Sequence, residues 1–215
     1  MPSRQTVEDN ATKQIKRTCF VTIGATAAFE GLVRAVLRPD FLQALKRHHY
    51  TDLVVQFGAG GDDLFESCQA QARSVSPDVD SSTLFGIKIE GFPVDTNGLD
   101  LYMKRAKAGK DSESREGCII SHAGTGTILS AMRLAIPIIV VPNEELLDNH
   151  QVELAEVLAQ QGYVIHGRSD ALAQALDELE EVRHKVQSWP PVNSGAHRKS
   201  NTIKQVLDEE MGFLD

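Results

Sequence analysis

The chain has 215 residues, of which 41% are hydrophobic and 24% charged, and its formal net charge at pH 7 is -8. These values are ordinary for a globular domain with short appendages. The net negative charge argues against general binding to nucleic-acid phosphates, because proteins that bind in this way carry a basic surface.

Predicted strands and helices alternate along most of the chain. Residues 1–17 are predicted to be a disordered tail, residues 18–187 one domain, and residues 188–215 an extension with a helix at 199–211. The predicted strands cover residues 19–23, 52–57, 84–91, 118–121, 137–141 and 163–165. The predicted helices cover residues 28–37, 41–47, 62–73, 99–108, 127–134, 148–161 and 171–187.

The predicted strands are near-continuous apolar runs, which favours a parallel sheet covered on both faces. We therefore predict an α/β fold with a Rossmann-like, doubly wound parallel sheet. Such sheets bind ligands at the carboxyl ends of their strands. Three of the strands end in turns rich in glycine or threonine, at residues 24–26, 58–61 and 123–127.

The segment CIISHAGTGTILSAM, residues 118–132, carries the most informative of these turns. A helix N-terminus offers N–H groups and partial positive charge to a phosphate, and glycine lets the ligand approach the backbone. His122 adds a donor for a charge-assisted hydrogen bond. An equally open interpretation is that Gly124 and Gly126 only shape a tight turn, with Thr127 as the N-cap of the helix.

Several other kinds of site are disfavoured by motifs that the sequence lacks. GxGxxG, GxxxxGK[ST], HExxH and GxSxG are all absent. Cys19, Cys68 and Cys118 stand far apart without a CxxC pair, which argues against a disulfide framework or a zinc site. The N-terminal segment has no apolar core typical of a signal peptide, and no run is long enough to span a membrane.

The stretch ISHAGTGTILSAMRLAIPIIVVPNEELLDNHQVELA resembles the sugar-nucleotide-binding motif of GT-B glycosyltransferases. It is especially similar to the catalytic subunits of the two-part N-acetylglucosaminyltransferase that adds the second sugar to dolichol-linked oligosaccharide. Those subunits in turn resemble the C-terminal domain of the bacterial peptidoglycan lipid-intermediate transferase, of the glycosyltransferase family 28 type. FVTIGAT and DLVVQFG, at the first two strands, fit the same family, and the resemblance covers residues 18–167.

The resemblance implies a UDP-GlcNAc site in which His122 is the catalytic group that stabilises the leaving diphosphate. Phe92 would cover the uracil, and the residues that open the predicted helix at 148 would face the sugar hydroxyls. The full implied set is Gly24, Ala25, Thr26, Phe92, His122, Gly124, Thr125, Gly126, Thr127, Asp148, Asn149, His150 and Gln151.

Some of these assignments have simpler alternatives. Relatives often carry an acidic residue for the ribose hydroxyls where this chain has Ser130. Phe92 is also compatible with an ordinary core position, Asp148 with a helix N-cap, and His150 with a solvated side chain.

A GT-B enzyme has two Rossmann-like domains, and about 150 residues per domain leaves room here for one. We therefore expect this chain to be the donor-binding half, with the acceptor-binding half and the general base in another chain. The resemblance implies inverting transfer from UDP-GlcNAc to GlcNAc-diphosphate-dolichol, without a metal or other cofactor. It also implies a membrane-anchored partner subunit that recruits this chain from the cytosol to the endoplasmic reticulum.

Two further interpretations stay open from the sequence. The first is a non-catalytic nucleotide-sugar-binding or regulatory protein, which would use the same turns without transferring a sugar. The second open point is the role of the predicted helix at 199–211. Its apolar face docks either on the partner subunit or on its own domain. The residues of that face are Ile203, Val206, Leu207, Met211 and Leu214.

Overall fold

The computed structural model describes residues 15–24, 28–78, 82–109, 114–143 and 150–188, with side chains except at 150 and 185–188. Six parallel strands form one sheet in the order β3-β2-β1-β4-β5-β6. The strands are β1 Lys16–Thr22, β2 Asp52–Gln56, β3 Lys88–Phe92, β4 Ser114–Ser121, β5 Ile138–Val140 and β6 Ile165–His166. This order is that of a doubly wound Rossmann sheet, so the predicted fold class is confirmed.

Helices connect the strands and cover both faces of the sheet. They are α1 Glu30–Val36, α2 Pro39–Arg47, α3 Asp62–Val75, α4 Asp100–Arg105, α5 Thr125–Arg133, α6 His150–Gln160 and α7 Leu172–Ser188. None of the helices within the described ranges is long and apolar enough to cross a bilayer.

The core has two halves because successive strand residues point to opposite faces. Cys19 and Val21 of β1 pack with α1, α2, α3 and α7 on one face. Phe20, between them, packs with α4, α5 and α6 on the other. The continuous apolar runs in the sequence therefore reflect strands that are buried on both sides.

All three cysteines are free and buried. Cys19 and Cys118 are directly paired across β1 and β4, whereas Cys68 lies on α3. Burial raises the pKa of the Cys19 and Cys68 thiols, because the thiolate loses its hydration. These cysteines behave as small core residues, which fits the absence of a CxxC pair.

Several element boundaries differ from the sequence prediction. The third strand begins at Lys88 rather than at residue 84, because Leu84 and Ile87 pair across a tight turn. Phe85 and Gly86 form that turn with φ values of 54° and 76°. The apolar character of this segment therefore comes from a buried turn, and the strand proper starts after it.

The domain begins earlier than predicted, since β1 starts at Lys16 and includes Arg17. Arg17 donates hydrogen bonds to Glu180 Oε2 at 2.7 Å and to the main-chain oxygen of Glu116 at 2.9 Å. Its guanidinium also lies 4.3 Å from the centre of the Tyr50 ring. The other predicted tail residues up to 14, and the extension from 189 with its helix at 199–211, lie outside the described residues.

Candidate functional site

The topological switch point lies between β1 and β4, because β1 leads outward to β2 while β4 leads the other way to β5. In doubly wound sheets, ligands bind beside such a point, at the carboxyl edge of the sheet. The main-chain N–H of His122 donates to the oxygen of Thr22 at 3.2 Å and so joins the ends of β1 and β4. The glycine-rich motif that the sequence singled out therefore lies at the position where doubly wound sheets bind ligands.

Helix α5 begins at Thr125 with Gly124 as its N-cap, and no side chain caps it. The main-chain N–H groups of Thr127 and Ile128 both donate to Gly124 O, at 3.1 and 3.2 Å. The interpretation of Thr127 as the N-cap is therefore wrong, because the first intrahelical acceptor lies three residues earlier. An uncapped helix start leaves N–H groups and partial positive charge available to an anion.

The imidazole of His122 lies between two glycines, one from each turn. A Cβ atom on Gly24 would lie 2.5 Å from its Cε1, and one on Gly124 would lie 2.4 Å from its Nε2. Gly24 also has a φ of 79°, which glycine adopts without strain. The two glycines are thus required by the close approach of this ring as well as by the turns themselves.

Burial sets the protonation of His122. Nδ1 is buried and has no hydrogen-bond partner in the described part of the chain. Burial lowers the pKa of His122 below its ordinary value of 6.5, so the imidazole is neutral at pH 7 in the absence of a ligand. We assign the proton to Nε2, because Nδ1 makes no hydrogen bond of ordinary geometry to the described residues, although the nearby Thr22 main chain partly offsets the effect of burial on the ring pKa. Nε2–H is then the donor available to an anion.

Replacing Gly124 by alanine tests this packing. The φ of -81° and ψ of 116° at residue 124 suit alanine, so the added methyl acts only through its clash with the His122 ring. We expect a loss of about 1–3 kcal/mol in the free energy of unfolding, as for other overpacked sites. We also expect a shift of the His122 ring resonances in an NMR spectrum.

The matched control is Gly31→Ala in α1, where the new Cβ would lie 3.6 Å from its nearest neighbour, an ordinary contact. This change should leave stability unchanged or raise it slightly, because alanine favours helix. Unchanged unfolding and unchanged His122 resonances in Gly124→Ala would show that the ring does not lie against this glycine.

A buried polar layer underlies the turns, and sequence reasoning did not assign it to the site. Thr22, Gln56 and Ser121 are each at most 2% exposed at the carboxyl ends of β1, β2 and β4. The Thr22 hydroxyl donates to Gln56 Oε1 and accepts from the Gly24 N–H at 3.2 Å. The signal in the sequence is a polar residue at the end of each apolar run.

Gln151, in the first turn of α6, comes close to the turn after β5. Its Oε1 lies 3.4 Å from the main-chain nitrogen of Asn143, which donates to it. Asn143 is 4% exposed, and its Nδ2 donates to the oxygen of Ala28 at 3.3 Å. The structure thus brings Gln151 to the same edge of the sheet as His122, through an asparagine that sequence reasoning missed.

Phe92 ends β3 and belongs to an aromatic stack. Its ring centre lies 4.1 Å from that of Tyr102 and 6.4 Å from that of Phe20. The oxygen of Phe92 accepts from the Phe57 N–H at 3.0 Å, within the sheet. The ring is only partly buried and packs against the core, so both the core position and a uracil contact at its open side stay compatible with this geometry.

The remaining predicted site residues fall into two groups. Ala25, Thr26, Asp148 and Asn149 lie outside the described residues, as does the side chain of His150, whose backbone opens α6. Thr125, Gly126 and Thr127 form the first turn of α5, and Ser130 lies half-buried one turn further along. No ribose contact is assigned to Ser130 by this placement.

Comparison with known proteins places this geometry in a family context. A family model described as the glycosyltransferase family 28 C-terminal domain matches residues 18–206. The UDP-N-acetylglucosamine transferase subunit ALG13 of Candida glabrata is 32% identical over 187 residues, which cover 78% of this chain and 88% of that protein.

Two solved structures share the fold. A solution NMR structure of ALG13 matches with a TM-score of 0.55 and 29% identity, over 80% of this chain and 87% of that one. A crystal structure of MurG from Acinetobacter baumannii matches with a TM-score of 0.51 and 18% identity, over 94% of this chain and 51% of that one.

Proposed function

Because this chain belongs to the glycosyltransferase family 28 C-terminal domain family, we propose that it is the donor-binding subunit of a UDP-GlcNAc transferase in N-glycan precursor synthesis. The observation that carries the proposal is the uncapped N-terminus of α5 beside the His122 imidazole at the β1–β4 switch point. That arrangement suits the diphosphate of a nucleotide sugar, since it offers main-chain N–H groups and one imidazole N–H at a single place.

The proposed reaction is the second step of lipid-linked oligosaccharide assembly, from UDP-GlcNAc to GlcNAc-diphosphate-dolichol. A hydroxyl of the acceptor sugar attacks C1 of the donor GlcNAc while the bond from C1 to the diphosphate oxygen breaks. UDP leaves from the opposite side, so the configuration at C1 inverts. The base that takes the proton of the attacking hydroxyl comes from the partner subunit.

The residues of this chain act on the leaving group. Negative charge grows on the diphosphate as the sugar departs, and the α5 N–H groups and His122 Nε2–H are aimed at that charge. Such fixed dipoles stabilise the leaving UDP without a metal ion, and none is proposed. Gln151, with Asp148, Asn149 and His150 at the start of α6, would contact the hydroxyls of the donor sugar.

The partner is proposed to be a membrane-anchored, acceptor-binding subunit. The relative from C. glabrata is named a subunit, and the acceptor in the proposed reaction is a membrane lipid. The donor site opens at the carboxyl edge of the sheet, where a second domain can close over it. This chain would then work at the cytosolic face of the endoplasmic reticulum, held there by its partner.

The test is GlcNAc transfer to a lipid-diphosphate acceptor in detergent, by this chain alone and by its complex with the co-expressed membrane subunit. We expect transfer only from the complex. Robust transfer by this chain alone would overturn the two-subunit assignment. A complex that binds UDP-GlcNAc without transferring the sugar would support the regulatory alternative, and a complex that binds no nucleotide sugar would overturn the whole proposal.

A further inference from the structure

Asn143 links the segment after β5 to the segment before α1 from a buried position. It directly follows the end of β5, and only 4% of its surface is exposed. Its side-chain Nδ2 donates to the oxygen of Ala28, in the connection between β1 and α1. A buried amide needs partners for its polar atoms, so this hydrogen bond ties the residue after Pro142 to Ala28.

The main-chain N–H of Asn143 determines how the side-chain amide of Gln151 is turned. A main-chain N–H can only donate, so the atom of Gln151 that faces it must be the carbonyl oxygen. The two atoms are 3.4 Å apart. The NH2 group of Gln151 then points away from the β5 turn, and it has no partner among the residues that the structure describes.

We infer that Asn143 is a positioning residue that presents Gln151 to the donor sugar as a hydrogen-bond donor. This inference rests on the proposed function. The hydrogen bond from the Asn143 N–H turns the oxygen of Gln151 toward the end of β5 and leaves the NH2 group to donate to a hydroxyl oxygen of the sugar. Selectivity for the sugar part of UDP-GlcNAc thus depends on a residue that need not touch the ligand.

Three substitutions separate these contributions. Gln151→Glu keeps an acceptor for the Asn143 N–H but removes the donor to the sugar. Asn143→Asp keeps the shape of the side chain but removes the donor to Ala28, and Asn143→Ala removes the whole amide. The matched control is Asn97→Ala, because Asn97 is exposed and, among the described residues, its side chain donates to Asp95 alone.

The measurement is calorimetric binding of UDP and of UDP-GlcNAc to the full chain in complex with its membrane subunit. The readout is the dissociation constant of UDP divided by that of UDP-GlcNAc, compared between each variant and the wild type. A lower ratio then means that the sugar contributes less to binding. We expect each single change at residue 143 or 151 to lower this ratio about fivefold, the effect of one net hydrogen bond. The double variant Asn143→Ala/Gln151→Glu should lower it no further, because the two residues act in series.

The outcomes distinguish this inference from the proposed function. An unchanged ratio in Asn143→Ala, with only a lower unfolding temperature, would reduce Asn143 to a structural residue and overturn the inference. An unchanged ratio in Gln151→Glu would overturn the assignment of Gln151 as a donor. A wild-type complex that binds neither UDP nor UDP-GlcNAc would instead count against the proposed donor site.

Discussion

His122→Ala is expected to lower kcat/KM of the complex by roughly 30- to 900-fold. In the proposed reaction the imidazole supplies a hydrogen bond to a diphosphate whose charge grows in the transition state, and loss of such a donor costs about 2–4 kcal/mol. The fold should survive, because the ring lies in a turn at the edge of the sheet. The measurement is steady-state transfer by the complex, alongside thermal unfolding of the variant. His184→Ala, at an exposed position of α7, is the control.

Two conservative changes test which nitrogen donates. The amide nitrogen of His122→Gln reaches about as far as Nε2, whereas that of His122→Asn reaches only as far as the buried Nδ1. Since we assign the proton to Nε2, glutamine should restore more activity than asparagine. Near wild-type activity in His122→Ala would contradict the proposed role of the residue. Equal rescue by both amides would contradict the assigned tautomer.

Glu180→Ala is expected to be the most destabilising single change that we propose. Glu180 is 3% exposed and accepts from Arg17 at 2.7 Å and from the Tyr50 hydroxyl at 2.8 Å. Arg183 Nε lies 3.3 Å from the same carboxylate, as an ion pair whose geometry does not make a hydrogen bond. Alanine would leave the guanidinium of Arg17 buried without its carboxylate, which costs about 3–5 kcal/mol.

Thermal and urea unfolding measure this cost. A loss of that size should lower the unfolding temperature by about 6–20 °C for a chain of this length. Glu181→Ala is the matched control, because Glu181 is the next residue of α7 and is exposed; it should change stability by less than about 0.5 kcal/mol. Similar unfolding curves for the two variants would show that the network contributes little.

The fold could be predicted where local pattern determines local structure. Strands β1, β2 and β5 and the second half of β4 are apolar runs buried on both faces, and their position is visible in the sequence. The polar first half of β4, from Ser114 to Gly117, lies before the predicted strand at 118–121 and carries no such pattern. The start of β3 could not be read in this way, because Leu84 and Ile87 are equally apolar but fill a turn. Arg17 was predicted to lie in the tail for a different reason. Its partner Glu180 is 163 positions away in the sequence, so no local pattern shows their pairing.

The candidate site was predictable to the extent that it consists of one motif. His122, Gly124 and the start of α5 follow from a strand that ends in His-x-Gly. One of the two open interpretations placed the N-cap at Thr127, because a hydroxyl commonly caps a helix, whereas the backbone places the cap at Gly124, which has no side chain. Asn143 carries no such signal, because an asparagine after Val-Pro is typical of any turn.

The three buried thiols make the folded chain resistant to alkylation. Only a thiolate that solvent can reach reacts readily. The pKa of Cys19 and Cys68 is raised by burial, and Cys118, whose pKa a hydrogen bond with Cys19 lowers, is fully shielded from solvent. Modification therefore requires the chain to open. When opening and closing are fast compared with the reaction, its rate follows the population of opened molecules. A thiol-reactive dye can thus rank the stability of variants at constant temperature without denaturant. A ligand that binds only the folded chain should slow the same reaction in proportion to its occupancy.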